Sequence, residues 1–101
     1  MRGALQIQIP LDAVEKVCRK YQVRELSVFG SALRPDFKTQ SDIDLLVSFE
    51  PEAQIGLIVF LGFQRELSEL LGRKVDLVPK GGLRPLIRDQ ILAQAQVLYA
   101  A

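Results

Sequence analysis

Apolar residues recur along this chain with two different periods, and the switching between them predicts a mixed layout of helices and strands. Val14, Val17, Cys18 and Tyr21 fall three and four residues apart, which places them on one face of a helix over residues 11–21, opened by Pro10. Residues 24–29 alternate instead, with Leu26 and Val28 on one side and Ser27 and Phe29 on the other, and Gly30 ends that strand. The polar stretch 31–41 reads as a short turn of helix followed by a loop. A second strand spans 42–49, with Ile43, Leu45, Val47 and Phe49 on one face. A long helix over 55–71 is stopped by Gly72, and a third strand over 74–78 is ended by Pro79. Gly81-Gly82 is a turn, a third helix covers 83–94 and starts near Pro85, and 96–99 forms a short last strand. The order α-β-(α)-β-α-β-α-β predicts an α+β (mixed α/β) domain, a small mixed sheet with helices packed against it.

Length and composition narrow the class of chemistry. With 101 residues the expectation is a single domain over 1–101. Hydrophobic residues are 49% and charged ones 25%, as in soluble globular proteins, and a net charge of +1 gives no reason to expect direct nucleic-acid binding. Cys18 is the sole cysteine and falls in a helical pattern, so it is expected as a small core residue. The first residues lack the apolar run of a signal peptide, and residues 55–63 are too few to span a bilayer, so a cytoplasmic location is the expectation. There is no histidine, which excludes Ser-His and Cys-His nucleophilic machinery and His-ligated zinc. Chemistry must run on carboxylates, hydroxyls, basic side chains and bound metal.

The carboxylates are where the pattern is locally unfavourable. Asp42 and Asp44 sit two apart in an otherwise apolar strand, so they share a face and repel one another. Burying them without partners would cost several kcal/mol each, to order of magnitude. A divalent cation removes that penalty, because hard oxygen ligands on a rigid strand suit Mg²⁺. Asp76 repeats the theme in the third strand, with Val75 and Leu77 facing the other way. If that strand pairs beside the Asp42 strand, three carboxylates converge as a two-metal site for phosphoryl or nucleotidyl transfer requires. Gly30-Ser31 follows a strand and opens a helical turn, where backbone N–H groups attract a phosphate and Ser31 adds a hydroxyl donor. Arg34, three residues further on, is a candidate contact for the same phosphate. Each piece alone has an ordinary structural reading; their conjunction at this spacing is what points to a site.

The segments Val28-Phe29-Gly30-Ser31 and Ser41-Asp42-Ile43-Asp44-Leu45-Leu46-Val47 resemble the signature of the DNA polymerase beta-type nucleotidyltransferase superfamily. The short chain is similar to the minimal nucleotidyltransferases, the antitoxin-type members. Residues 70–78, the run Lys80-Gly81-Gly82-Leu83-Arg84-Pro85 and the tail 91–99 resemble the family's second half. The resemblance implies that Gly30 and Ser31 bind the triphosphate of ATP, and that Asp42 and Asp44 ligate Mg²⁺, two ions being expected. Asp76 would be the third metal carboxylate or the activator of the attacking hydroxyl. It further implies an acceptor outside the chain: a tyrosine of a partner HEPN-domain toxin, modified with AMP. Ala32 departs from the family pattern, since many relatives carry arginine after the serine, and Arg34 is the nearby basic side chain instead. Two other readings fit the same residues: a binding antitoxin that works by occlusion, and a nucleotide-binding accessory subunit.

Residues 55–63 are apolar all round, unlike a surface helix with a polar opposite face. Either the start of this helix is deeply buried, or one side contacts protein, as a homodimer or as a hetero-oligomer with the toxin, with Phe60 and Phe63 as anchors. Lys80 and Arg84 follow the Asp76 strand closely enough to be considered as nucleotide contacts.

Overall fold

The computed structural model describes residues 9–33 and 42–101, without the side chain of Ser31. Its elements are α1 (Leu11–Lys20), β1 (Val23–Phe29), a 3-10 turn (Gly30–Leu33), β2 (Ile43–Phe49), α2 (Leu57–Leu71), β3 (Val75–Pro79), a second 3-10 turn (Lys80–Gly82), α3 (Pro85–Gln94) and β4 (Gln96–Ala100). The predicted order of elements holds. The boundary differences are local. α2 begins at Leu57 because Gly56 is extended, with φ −83° and ψ 178°, and cannot continue a helix backwards. Gly72 closes the same helix in the left-handed region at φ 66°. Asp42 stands one residue ahead of β2, which begins at Ile43.

The four strands are ordered β3-β2-β1-β4. β1 runs antiparallel to both β2 and β4, whereas β2 and β3 are parallel and joined through α2, as a parallel pair requires. The alternation read from the sequence decides the layers. Leu26 and Val28 of β1, Ile43, Leu45 and Val47 of β2, and Val75 and Leu77 of β3 point into one core, closed by Val14 and Cys18 of α1 and by Phe63 and Leu67 of α2. Burying a side chain such as Phe63 contributes roughly 1.5–3 kcal/mol. Cys18 is fully buried, and desolvation pushes its thiol up to about 12, so it stays protonated and serves as packing.

Two sets of side chains fix α2 in place. Toward α1, the Tyr21 hydroxyl donates to Glu66 Oε2, Lys20 Nζ donates to Glu66 Oε1 at 3.0 Å, and the Tyr21 ring lies 5.0 Å from that of Phe63. Toward the sheet, Ser68 Oγ accepts the Val75 N–H at 3.0 Å and Gln64 Oε1 accepts the Leu77 N–H at 3.2 Å. β3 is an edge strand, and these two bonds satisfy amides that have no strand beyond them.

The apolar stretch 55–63 is divided by this packing. Phe63 is fully buried and Phe60 packs on the core, whereas Leu57 is 73% and Ile58 87% exposed. Phe63 is therefore structural, Phe60 is half-buried beside an apolar hollow with Ile55, Leu57 and Pro79, and the exposed apolar surface lies on Leu57, Ile58, Val59 and Leu61. The reason is the 3.6-residue period: the phenylalanines fall on the sheet-facing side of α2, and the aliphatic residues do not. No helix among the described residues is long and apolar enough to cross a membrane.

Candidate active site

The face of the sheet opposite α1 and α2 carries the carboxylates. Asp44 is the residue on which the strands converge. It pairs with Phe29 of β1 on one side and Asp76 of β3 on the other. Neighbouring strands lie about 4.8 Å apart, so Asp44 and Asp76 are adjacent on one surface. Asp42 shares their parity and stands just before the strand, where the Ile43 N–H donates to Lys74 O at 3.0 Å and starts the β2–β3 pairing. Asp44 is half-buried; Asp42 and Asp76 are exposed. Among the described residues, no three acidic or thiol side chains close around one point that would hold a metal ion.

Gly30 explains itself through Asp44. It follows Phe29 directly and adopts φ 73°, a left-handed conformation that disfavours side chains. A Cβ at this position would collide with Asp44 Oδ2. The absent side chain thus lets the backbone turn pass directly over the carboxylate. That cradle brings the start of the 3-10 turn Gly30–Leu33 against an acidic oxygen, and it suits a phosphate–cation pair far better than a phosphate alone. By donor chemistry the residues fit Mg²⁺: all are hard carboxylate oxygens on rigid strand positions. The backbone of Ser31 belongs to the turn, and Arg34 lies outside the described residues.

A cleft of about 400 Å³ opens from Asp44 on the side away from Asp76. Phe29, Gly30 and Asp44 form its floor, and Ile87, Gln90, Ile91 and Gln94 of α3 form its wall. Sequence reasoning missed this wall, because nothing in the spacing of α3 says which face of the sheet it overlies. Lys80 goes elsewhere. Its ammonium pairs with Glu25 at 3.4 Å, at the far end of the sheet near Ser48 and Ala100. Three strand residues, Leu77 to Pro79, lie between Asp76 and Lys80, a span of roughly 13 Å of backbone, and the Glu25 pairing draws Lys80 away from the carboxylate end. Gln64 and Ser68 were also not foreseen as site-related; by pinning β3 they set where Asp76 stands.

The profile of the nucleotidyltransferase domain family matches residues 12–98. The chain belongs to that family. Within it, this minimal nucleotidyltransferase is 39% identical over 90 residues to the protein adenylyltransferase MntA of Thermococcus cleftensis, a match covering 88% of this chain and 89% of the relative. A solved structure assigned provisionally as a minimal nucleotidyltransferase is 36% identical, with a TM-score of 0.71 and coverage of 85% of this chain and 86% of that one. The fold is also that of the MNT antitoxin in a complex with a tri-AMPylated HEPN toxin from Shewanella oneidensis, at 20% identity and a TM-score of 0.63, covering 90% and 70% of the two chains. The expected fold class and family are both borne out.

Proposed function

We propose that this minimal nucleotidyltransferase transfers AMP from ATP to a tyrosine hydroxyl of a HEPN-domain toxin, in a Mg²⁺-dependent reaction that neutralises the toxin. The observation that carries the reading is the register that sets Asp44 between the Gly30 turn and Asp76. The likeness to an adenylyltransferase over most of both chains, and to an antitoxin crystallised with an AMP-modified toxin, supports the nature of donor and acceptor.

The residues divide the work by position. The turn at Gly30-Ser31 holds the β- and γ-phosphates, its backbone N–H groups directed at their oxygens. Asp42, Asp44 and Asp76 would hold Mg²⁺, which when bound neutralises phosphate charge and activates the acceptor oxygen. In-line displacement requires the acceptor to approach opposite the leaving pyrophosphate. Since the phosphates lie toward Gly30, the tyrosine hydroxyl arrives on the Asp76 side of Asp44. Asp76 orients that hydroxyl and takes its proton as the tyrosine oxygen bonds to the α-phosphorus. The bond between the α-phosphorus and the oxygen bridging to the β-phosphorus breaks, and pyrophosphate leaves. The acceptor comes from a second protein, and the exposed Leu57, Ile58 and Leu61 on α2 give it an apolar surface to dock on.

The test is intact-mass spectrometry and peptide mapping of a HEPN-domain toxin after incubation with the chain, ATP and Mg²⁺. The toxin should gain one or more AMP masses on tyrosine, and Asp44→Asn should abolish the gain while the chain remains folded. A toxin of unchanged mass that is nevertheless neutralised by both forms would replace this reading with simple occlusion, which the exposed apolar turn of α2 would also permit.

A further inference from the structure

Beyond the Gly30 turn and Asp44 at its floor, the α3 side of the cleft is unlike a phosphate site. Among the described residues, no lysine or arginine borders it. Its wall is instead a stripe of Ile87, Ile91 and Gln94 at i, i+4 and i+7, with Gln90 beside it. Across from these stand the Phe29 ring and the Gly30 backbone. No hydrogen bond engages the Gln90 or Gln94 carboxamide among the described residues, and Ile87 is 44% exposed. A mixed lining of isoleucines, an aromatic residue and two carboxamides, with Asp44 at its edge and a volume of about 400 Å³, suits a small aromatic ligand that also carries polar edges.

The register tells which part of the reaction this cleft serves. Asp76 lies on one side of Asp44, while Phe29, Gly30 and the cleft lie on the other. The acceptor hydroxyl approaches from the Asp76 side, so the cleft is on the nucleotide's side. Its α3 wall of two isoleucines and two carboxamides suits the nucleoside rather than the triphosphate.

We propose that this cleft is the nucleobase site, and that Gln90 and Gln94 set its selectivity for adenine, with Phe29, Ile87 and Ile91 packing on the faces of the base. This rests on the nucleotidyltransferase reading above. A carboxamide presents a donor and an acceptor side by side, which matches the N6 amino group of adenine together with an adjacent ring nitrogen. Two such groups one helical turn apart can engage one base edge. The role requires no burial from α3, which has no buried residue between Pro85 and Gln94, so the helix can adjust to a base without disturbing the core.

Isothermal titration of the full chain with ATP, GTP and inorganic tripolyphosphate, each with Mg²⁺, tests this apart from transfer. The wild-type chain should bind ATP more tightly than GTP. Gln90→Ala and Gln94→Ala should each reduce ATP affinity about tenfold and shrink the preference for ATP over GTP, with tripolyphosphate affinity unchanged. Both substitutions place a strong helix former at an exposed helical site, so folding is retained and can be checked by circular dichroism. Unchanged ATP affinity in the Gln90→Ala/Gln94→Ala double variant would overturn the proposal, as would equal affinity of the wild type for ATP and GTP. If ATP binds with the expected preference but no AMP reaches the toxin, the transfer reading falls and the base site stands. If no nucleotide binds at all, both fall.

Discussion

Helices α2 and α3 both show large apolar side chains to solvent, yet only α2 is built into the fold. α2 buries Phe63 and Leu67, is clamped to α1 through Glu66, and supplies Ser68 and Gln64 to the outer amides of β3. α3 has no buried residue, and its Leu86 is 96% exposed. One helix positions the strand that carries Asp76; the other borders the cleft beside Asp44. The difference separates a helix that carries stability from one that carries almost none. Asp76 stands on a strand fixed by a well-packed helix, and the cleft wall stands on a helix whose residues can change at little cost to the core.

The sharpest way to break that contrast is to truncate each helix. Phe63→Ala should lower stability by about 3–5 kcal/mol, because a fully buried ring leaves a cavity. Leu86→Ala on α3 should change stability by no more than about 0.5 kcal/mol, as exposed positions do. Urea denaturation midpoints at constant slope measure both, and comparable losses from the two would erase the distinction.

Next in size is Gly30→Ala at the cleft floor. A positive φ and a collision with Asp44 should together cost on the order of 1–3 kcal/mol and displace the carboxylate. Thermal unfolding reads the first effect, and the loss of AMP transfer reads the second. A fully active, fully stable Gly30→Ala chain would show that the turn and Asp44 are not coupled.

Ser68→Ala sharpens the role assigned to α2. It removes the acceptor of the Val75 N–H, leaving a donor unpaired on a buried strand residue, for a loss of about 1–3 kcal/mol. Because β3 carries Asp76, amide hydrogen exchange at Val75 should quicken more than exchange in β1. Uniform quickening across the sheet would mean that Ser68 contributes only to global stability.

The smallest effect is the pH dependence of the α1–α2 clamp. The hydrogen bond from Tyr21, followed by that from Lys20, holds the Glu66 carboxyl below its ordinary range. Its contribution is therefore present above the unfolded carboxylate pKa and is lost as pH falls through the lowered folded value. The Glu66 hydrogen bond raises both Tyr21 and Lys20 above their usual values, Tyr21 being further raised by desolvation. Those contributions are complete below the unfolded pKa values and are lost as pH rises through the folded ones. Stability measured across pH should form a plateau between these limits, and Glu66→Gln should flatten its acid shoulder. An unchanged shoulder in Glu66→Gln would assign the acid loss to other carboxylates.

How far the sequence reached is clearest residue by residue. Alternation in 42–49 and 74–78 was sufficient to place Asp44 and Asp76 opposite the apolar residues of their strands, and both stand there. Cys18 could be read as core from its helical spacing. Phe60 and Phe63 could not be told from Ile58 and Leu61, since a helix that is apolar all round gives no phase to its own pattern. Lys80 is close to Asp76 in sequence but is drawn to Glu25, an ion pair that the β1–β2 and β2–β3 pairings together make available.

By itself the sequence determined the elements, the parity of each carboxylate and the chemistry left to a chain without histidine, because side-chain direction within a strand or helix is a local property of the backbone. Only the tertiary structure decided that β2 lies between β1 and β3, so that Asp44 has Gly30 on one side and Asp76 on the other. It alone decided, too, that α3 walls a cleft beside them. Strand order and helix placement depend on contacts between segments far apart in the chain, and the period of a single segment does not encode which partner it meets.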